Sequence, residues 1–189
     1  ILYNQESPRK KKNFVTRKIT YNLAKIHKNK KHKIFLGNIN SKRDWGHAKD
    51  YVRVMWMILQ AEQPEDWVIA TGQTTTIREF VIMSFLELGI ELEFKGKGVD
   101  EKAFIKACNN PEYEIEIGKE ILAIDPKYFR PTEVDLLIGD STKAKKDLNW
   151  IPEYSLNELI EEMVNSDINY FTDNPPVKQH TNYWTKDQL

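Results

Sequence analysis

One cysteine, Cys108, in 189 residues excludes an intramolecular disulfide, and no His, Cys and carboxylate residues stand at zinc-site spacing. No apolar run reaches the roughly 18 residues that cross a bilayer, and no charged start with an apolar stretch and a small-residue cleavage site marks a leader. Glycine is sparse, at 8 residues, and never takes the spacing of a P-loop or a dinucleotide fingerprint. Gly96-Lys97-Gly98 therefore reads as a turn. There is no internal repeat. These absences leave a soluble, cytoplasmic, metal-free protein as the expectation.

What is present is charge, 30% of the residues, with 28 Lys+Arg cancelling 28 Asp+Glu. The cancellation hides a division. Residues 1–53 carry 15 Lys+Arg against only Glu6, Asp44 and Asp50, a surplus of 12, and the remainder is acidic by the same margin. A basic front joined to an acidic back implies an anion-binding segment or two regions with different partners. A chain of this size buries roughly 70% of its unfolded surface, enough for a core without staples. It opens on Ile1 inside an apolar run, so an upstream segment is expected.

Ile1-Leu2-Tyr3 reads as a buried strand end breaking into the turn chemistry of Asn4-Gln5-Glu6-Ser7-Pro8. Phe14, Ile19, Leu23 and Ile26 recur at helical spacing behind Asn13 as N-cap, with Lys25 and Lys28 suiting the C-terminal end of the dipole. A strand over Lys33–Leu36 precedes a helix over 47–61, whose Tyr51, Val52, Met55, Ile58 and Leu59 are expected to face inward. Asp66–Ala70 has the apolar, β-branched character of a buried parallel strand. Thr76-Ile77-Arg78-Glu79 and Ser155-Leu156-Asn157-Glu158 are capping boxes, opening helices that end at Gly89 and near Phe171. Glu91–Phe94 and Ile121–Ile124 read as strands, 95–118 as loop with at most one short helix, and Asp140 or Ser141 as the cap of a helix to Leu148. Trp56, Phe80 and Phe85 stand at core spacing, and 172–189 is expected to be a mobile tail. Alternation of strand and helix makes the chain α/β.

Three segments concentrate polar, charged and aromatic residues beyond what packing requires. Asn4–Lys18 runs from a strand into a helix N-terminus, where free N–H groups and the dipole favour an anion and Arg9–Lys12, Arg17 and Lys18 add fixed cations; a solvated basic loop is the plainer reading. In Lys42–His47, Asp44 can orient Arg43, whose fork grips phosphate oxygens bidentately, or the two can pair to cap the next helix. His47 reads as a helix-start residue. In Tyr128–Asp135, Arg130 and Glu133 present a cation and an acceptor from one turn, suited to a phosphate beside a sugar diol or to a structural salt bridge.

Taken in order, these segments resemble the GDP-mannose 4,6-dehydratases of the extended short-chain dehydrogenase/reductase family, over roughly residues 1–168. The blocks are Asn4–Arg9, Asn13–Ile19, Lys42–Val52, Val68–Gly72, Gly96–Glu101 and Tyr128–Asp135. The resemblance implies the C-terminal part of an extended Rossmann-type dehydrogenase/reductase fold with the smaller nucleotide-sugar-binding domain, over residues 1–171. It implies that Asn4, Val15, Lys18, Arg43, Arg130 and Glu133 hold GDP-mannose, with Val15 and Lys18 near the guanine, Arg43 and Arg130 on the diphosphate and Glu133 on a ribose hydroxyl. Gln5 and Lys10 align with contacts to NADP, where the family usually has His and Arg; Gln keeps a donor and Lys a charge, without a stacked or bidentate contact.

The family reaction passes hydride from C4 to NADP, expels water across C5–C6 and returns the hydride to C6. Its catalytic Thr, Glu, Tyr and Lys lie upstream of the matched part. The resemblance thus implies that this chain alone is inactive, that its partner is the missing N-terminal half, and that the whole is a homo-oligomer. Two rivals are another nucleotide-sugar epimerase or dehydratase and a non-catalytic nucleic-acid-binding module using the basic front. Against the latter, that front lacks interleaved stacking aromatics.

Overall fold

The computed structural model describes residues 1–28, 32–111, 113, 115–129 and 134–172. Strand β1 (Asn4–Glu6) leads to helix α1 (Val15–Lys28), and β2 (Ile34–Leu36), β3 (Lys42–Arg43) and β4 (Trp45–His47) precede α2 (Ala48–Leu59). Then come β5 (Thr75–Thr76), α3 (Ile77–Leu86), β6 (Ile90–Lys95), β7 (Lys102–Cys108), β8 (Glu120–Ile124), β9 (Leu136–Leu137), α4 (Thr142–Leu148) and α5 (Leu156–Phe171). Among the described residues three small sheets form, ordered β1-β4, β2-β8-β7-β6 and β5-β3-β9.

The main core fills the space between the four-stranded sheet and α1, α3 and α5. Ile19, Leu23 and Ile26 of α1 bury at the spacing the sequence predicts, against Ile34, Phe80, Phe85, Ile105, Leu122 and Ile160. Both capping boxes form: the Thr76 and Ser155 hydroxyls accept the Glu79 and Glu158 N–H, and each glutamate accepts its cap's own N–H in return. A smaller cluster packs Tyr51, Val54, Trp67, Ile69, Ala144 and Trp150.

Several expectations are corrected. Residues 102–108, expected within a loop, form β7, the strand that joins β6 to β8 inside the sheet. Its inward residues are Ala103 and Ile105, too few and too small for a clear alternating signal. The turn expected at Asn4–Glu6 is β1, paired in parallel with β4, and Ile1–Tyr3 pairs in parallel with Ile69. Helix α1 starts at Val15, its first bond running from Lys18 N–H to the Phe14 carbonyl, so Asn13 is not the cap. In α2, Tyr51 and Val54 bury, while Val52, Met55, Trp56 and Leu59 face outward. The expected tail from Asp173 onward lies outside the described residues.

Candidate functional site

Val15, Lys18 and Arg43, drawn from two separate sequence segments, line one cleft of about 510 Å³ with Phe14, Leu36, Asn38, Lys127 and Tyr128. Val15 opens the first turn of α1, whose N–H groups have no intrahelical acceptor, and Lys18 closes that turn, its N–H bonded to the Phe14 carbonyl. Lys18 Nζ lies 3.6 Å from the centre of the Tyr128 ring, a cation–π contact. Burial pushes its ammonium below the ordinary lysine range, with Asp125 opposing the shift.

Tyr128 is held there by backbone. Asp125 N–H donates to the Leu36 carbonyl, the Asp125 carboxylate accepts the Lys127 N–H, and Gly37 admits the turn: a Cβ at Gly37 would stand 2.1 Å from the Tyr128 carbonyl oxygen. Gly37 is thus glycine because the turn passes against its backbone.

Arg43 reaches the cleft from β3, between β5 and β9. Its Nη1 donates to the carbonyls of Lys42 (2.9 Å) and Val134 (2.6 Å), tying the Arg side chain to the chain entering β9. Asp44 does not orient it. The Asp44 carboxylate is fully buried and accepts the Thr71 N–H (2.9 Å), the Thr71 hydroxyl (2.7 Å) and the Gly72 N–H (2.9 Å). Its own carbonyl accepts from Asn4 Nδ2 at 2.9 Å, so the Asn4 amide is committed outside the cleft.

The basic front is mostly spent elsewhere. Lys10 pairs with buried Glu6 (3.2 Å) and donates to the Gln5 carbonyl (2.8 Å), while Lys12 sits over the rings of Tyr21 and Tyr170. Burial raises the Glu6 carboxyl above its ordinary value, against the Thr16 hydroxyl and Lys10. Arg17 is sealed in an ion pair with Asp167 (2.7 Å). Tyr21 and Lys25 share the Tyr-x-x-x-Lys spacing of short-chain dehydrogenases, yet Lys25 lies over the Tyr21 ring beside Phe171, and neither lines the cleft. His47 caps α2 through Nδ1 and bonds Glu162 through Nε2 (2.7 Å), a structural role. Glu101, within the stretch read as a loop, is buried against Arg78.

Arg130 and Glu133 lie outside the described residues, directly after the Lys127–Tyr128 turn that forms the cleft wall. Sequence reasoning missed Lys127 and Asn38; their adjacency to the Tyr128 and β2 blocks was the available signal. A second cleft of about 420 Å³, between Thr71–Thr75 and Ile151–Glu158, holds none of the expected binding residues. Among the described residues no group of three His, Cys, Asp or Glu could hold a metal, and no helix is long and apolar enough to cross a membrane.

Comparison with known proteins places the chain in a family. A family model for GDP-mannose 4,6 dehydratase matches residues 1–163. The chain is 51% identical over 181 residues to the GDP-mannose 4,6-dehydratase of Vibrio cholerae, covering 95% of this chain and 48% of that one. It is 49% identical over 175 residues to the human GDP-mannose 4,6 dehydratase, covering 93% and 45%. Among solved structures it resembles RMD from Pseudomonas aeruginosa complexed with NADPH (TM-score 0.67, 16% identity, 89% of this chain and 47% of that one). It also resembles UDP-glucose 4-epimerase from Thermotoga maritima with UDP-glucose (TM-score 0.62, 21% identity, 87% and 43%). The fold is therefore of the extended Rossmann type, and the chain spans about half the length of the curated relatives it matches. It belongs to the GDP-mannose 4,6-dehydratase family.

Proposed function

We propose that this chain is the nucleotide-sugar-binding, C-terminal half of a GDP-mannose 4,6-dehydratase, which converts GDP-mannose to GDP-4-keto-6-deoxy-mannose. The observation that carries the reading is the convergence of Val15, Lys18 and Arg43 on one cleft, walled by the turn that leads into Arg130 and Glu133. A helix N-terminus, a desolvated ammonium and a guanidinium at one cavity favour a diphosphate over a neutral sugar. Lys18, held on the Tyr128 face, is placed to donate to a base or phosphate oxygen; Arg43 adds charge from β3.

The hydride chemistry belongs to a nicotinamide cofactor, NADP by the resemblance. The residues present do not make a cradle for it. Lys10 is neutralised by Glu6 and bonded to the Gln5 carbonyl, Gln5 lies in β1 beside Gly46, and the sequence has no glycine-rich phosphate loop. This chain's share of the reaction is to bind and orient the nucleotide sugar, and turnover requires the rest of the family fold.

Calorimetric titration of the chain with GDP, UDP and dTDP tests the reading. GDP is expected to bind best, and Lys18→Ala or Arg43→Ala to weaken it about tenfold or more, the loss of one charged hydrogen bond. A preference for UDP would move the chain to the epimerase side of the fold. Turnover of GDP-mannose by the chain with NADP alone would refute the division of labour.

A further inference from the structure

A lysine ammonium has three N–H donors and no acceptor, so the partners it collects state what it does. Lys10 Nζ lies 3.2 Å from Glu6 Oε1, donates to the Gln5 carbonyl at 2.8 Å and stands 4.5 Å from the centre of the Phe14 ring. With a carboxylate, a carbonyl and a ring around it, the side chain is only 20% exposed. Phe14 lines the nucleotide cleft and is 47% exposed, whereas Lys10 does not line it. The ammonium therefore holds the ring from behind. A second ring of the same cleft, Tyr128, is 46% exposed and carries the Lys18 ammonium. A half-exposed ring has little burial to keep it in one place, and a cation on its face supplies about 0.5 to 1 kcal/mol.

Glu6 ties this contact to β1. Its carboxylate is buried; Oε1 meets Lys10, and Oε2 accepts the Thr16 hydroxyl at 2.5 Å. The Lys10 carbonyl accepts from Arg17 Nη1 at 3.3 Å, and the Phe14 N–H bonds the Lys11 carbonyl at 3.1 Å. One buried carboxylate thus fixes residues on both sides of Val15 and the loop that leads to them. A compact ammonium suits partners in three directions, where the planar guanidinium of the arginine usual in this family presents its donors in one plane.

We propose that Lys10 is a positioning residue of the nucleotide cleft, in place of the cofactor contact that the resemblance implies: anchored on Glu6, it keeps the Phe14 ring on the cavity wall. The proposal rests on reading that cavity as the site of the nucleotide sugar.

The test is calorimetric titration of the full chain with GDP, without NADP, alongside amide hydrogen exchange of the free chain. Lys10→Met is expected to weaken GDP about fivefold and to speed exchange of the Phe14 N–H about tenfold, because the loop loses its tie to Glu6. Lys11→Met takes the same charge from the same loop at an exposed side chain, and is expected to weaken GDP less than about twofold and leave that exchange unaltered. Lys10→Met also leaves Glu6 buried without its counter-charge. Glu6→Gln/Lys10→Met, which keeps an acceptor for Thr16, is the second variant and should lose the same GDP affinity with native circular dichroism. With no cofactor present, a fall in affinity cannot come through a contact to NADP. Two results would overturn the proposal: both Lys10 variants binding GDP as well as Lys11→Met does, or Phe14 exchange that Lys10→Met leaves unaltered. Failure of the unsubstituted chain to bind GDP would overturn the reading of the cavity instead, while exchange at Phe14 still decides whether Lys10 holds the ring.

Discussion

Removing the Asp44 carboxylate should cost more than any change to the neighbouring cations, although Asp44 touches no ligand. Asp44→Ala strips three acceptor contacts of 2.7 to 2.9 Å from the Thr71 N–H, the Thr71 hydroxyl and the Gly72 N–H. Hydrogen bonds to a charged group are worth about 1.5 to 3 kcal/mol each. Thr71 is only half-buried and Gly72 exposed, so water can replace part of the loss; we expect a net cost of about 3 to 5 kcal/mol. Asp44→Asn keeps the shape but aims an amide N–H₂ at a donor, for a smaller loss of about 2 to 3 kcal/mol. Urea unfolding followed by tryptophan fluorescence reads this directly. With a slope of about 2.5 kcal/mol per molar for a chain this size, Asp44→Ala should lower the midpoint by about 1 to 2 M. GDP affinity should fall as well, since the same residue fixes the strand from which Arg43 projects. An Asp44→Ala chain within about 1 kcal/mol of the parent would refute the idea that one carboxylate organises this junction.

Gly37→Ala drives a Cβ to 2.1 Å from the Tyr128 carbonyl, so about 1 to 3 kcal/mol of stability and part of the GDP affinity should be lost together, measured by urea midpoint and calorimetry. Asp167→Ala leaves Arg17 buried without its counter-charge, and about 3 to 5 kcal/mol is expected in the same unfolding assay. Burial raises the Glu6 carboxyl above its ordinary 4.5, so the folded state binds its proton more tightly than the unfolded one. The Glu6 contribution should therefore be largest near or below that value and be lost as pH rises through the raised folded pKa. Subtracting the Glu6→Gln profile from the parent isolates it; a difference that grows more favourable with rising pH would contradict the sign.

The helices were legible because their signals are local. Thr76 and Ser155 announce their own starts three residues ahead of their glutamates, and the stripe Ile19, Leu23, Ile26 is complete within one segment. Strand β7 was not, since its place inside the sheet depends on β6 and β8 at either side, and Ala103 gives little hydrophobic signal. The α2 error has another cause: composition shows that Val52, Met55 and Leu59 are apolar, but not that the described chain covers only one of the helix's two stripes. At the site, the residue types of Lys18 and Arg43 pointed to anion chemistry. That Asp44 would hold a turn 27 residues away, and Asn4 would hold Asp44, follows from pairing that no spacing rule encodes.

The buried pair of Arg17 and Asp167 joins residues 150 positions apart, and Thr20 donates to the same carboxylate at 2.7 Å. On a ribosome, α1 leaves the tunnel long before α5 exists, and at roughly 5 to 20 residues per second the wait lasts several seconds or more. Throughout that interval the helix that presents Lys18 lacks its Asp167 anchor and the packing of Ile160 and Val164. The cleft lined by Val15, Lys18 and Arg43 thus stands on a helix whose buried ion pair closes only late, and shortening the chain before Asp167 should loosen it from the opposite end of the sequence.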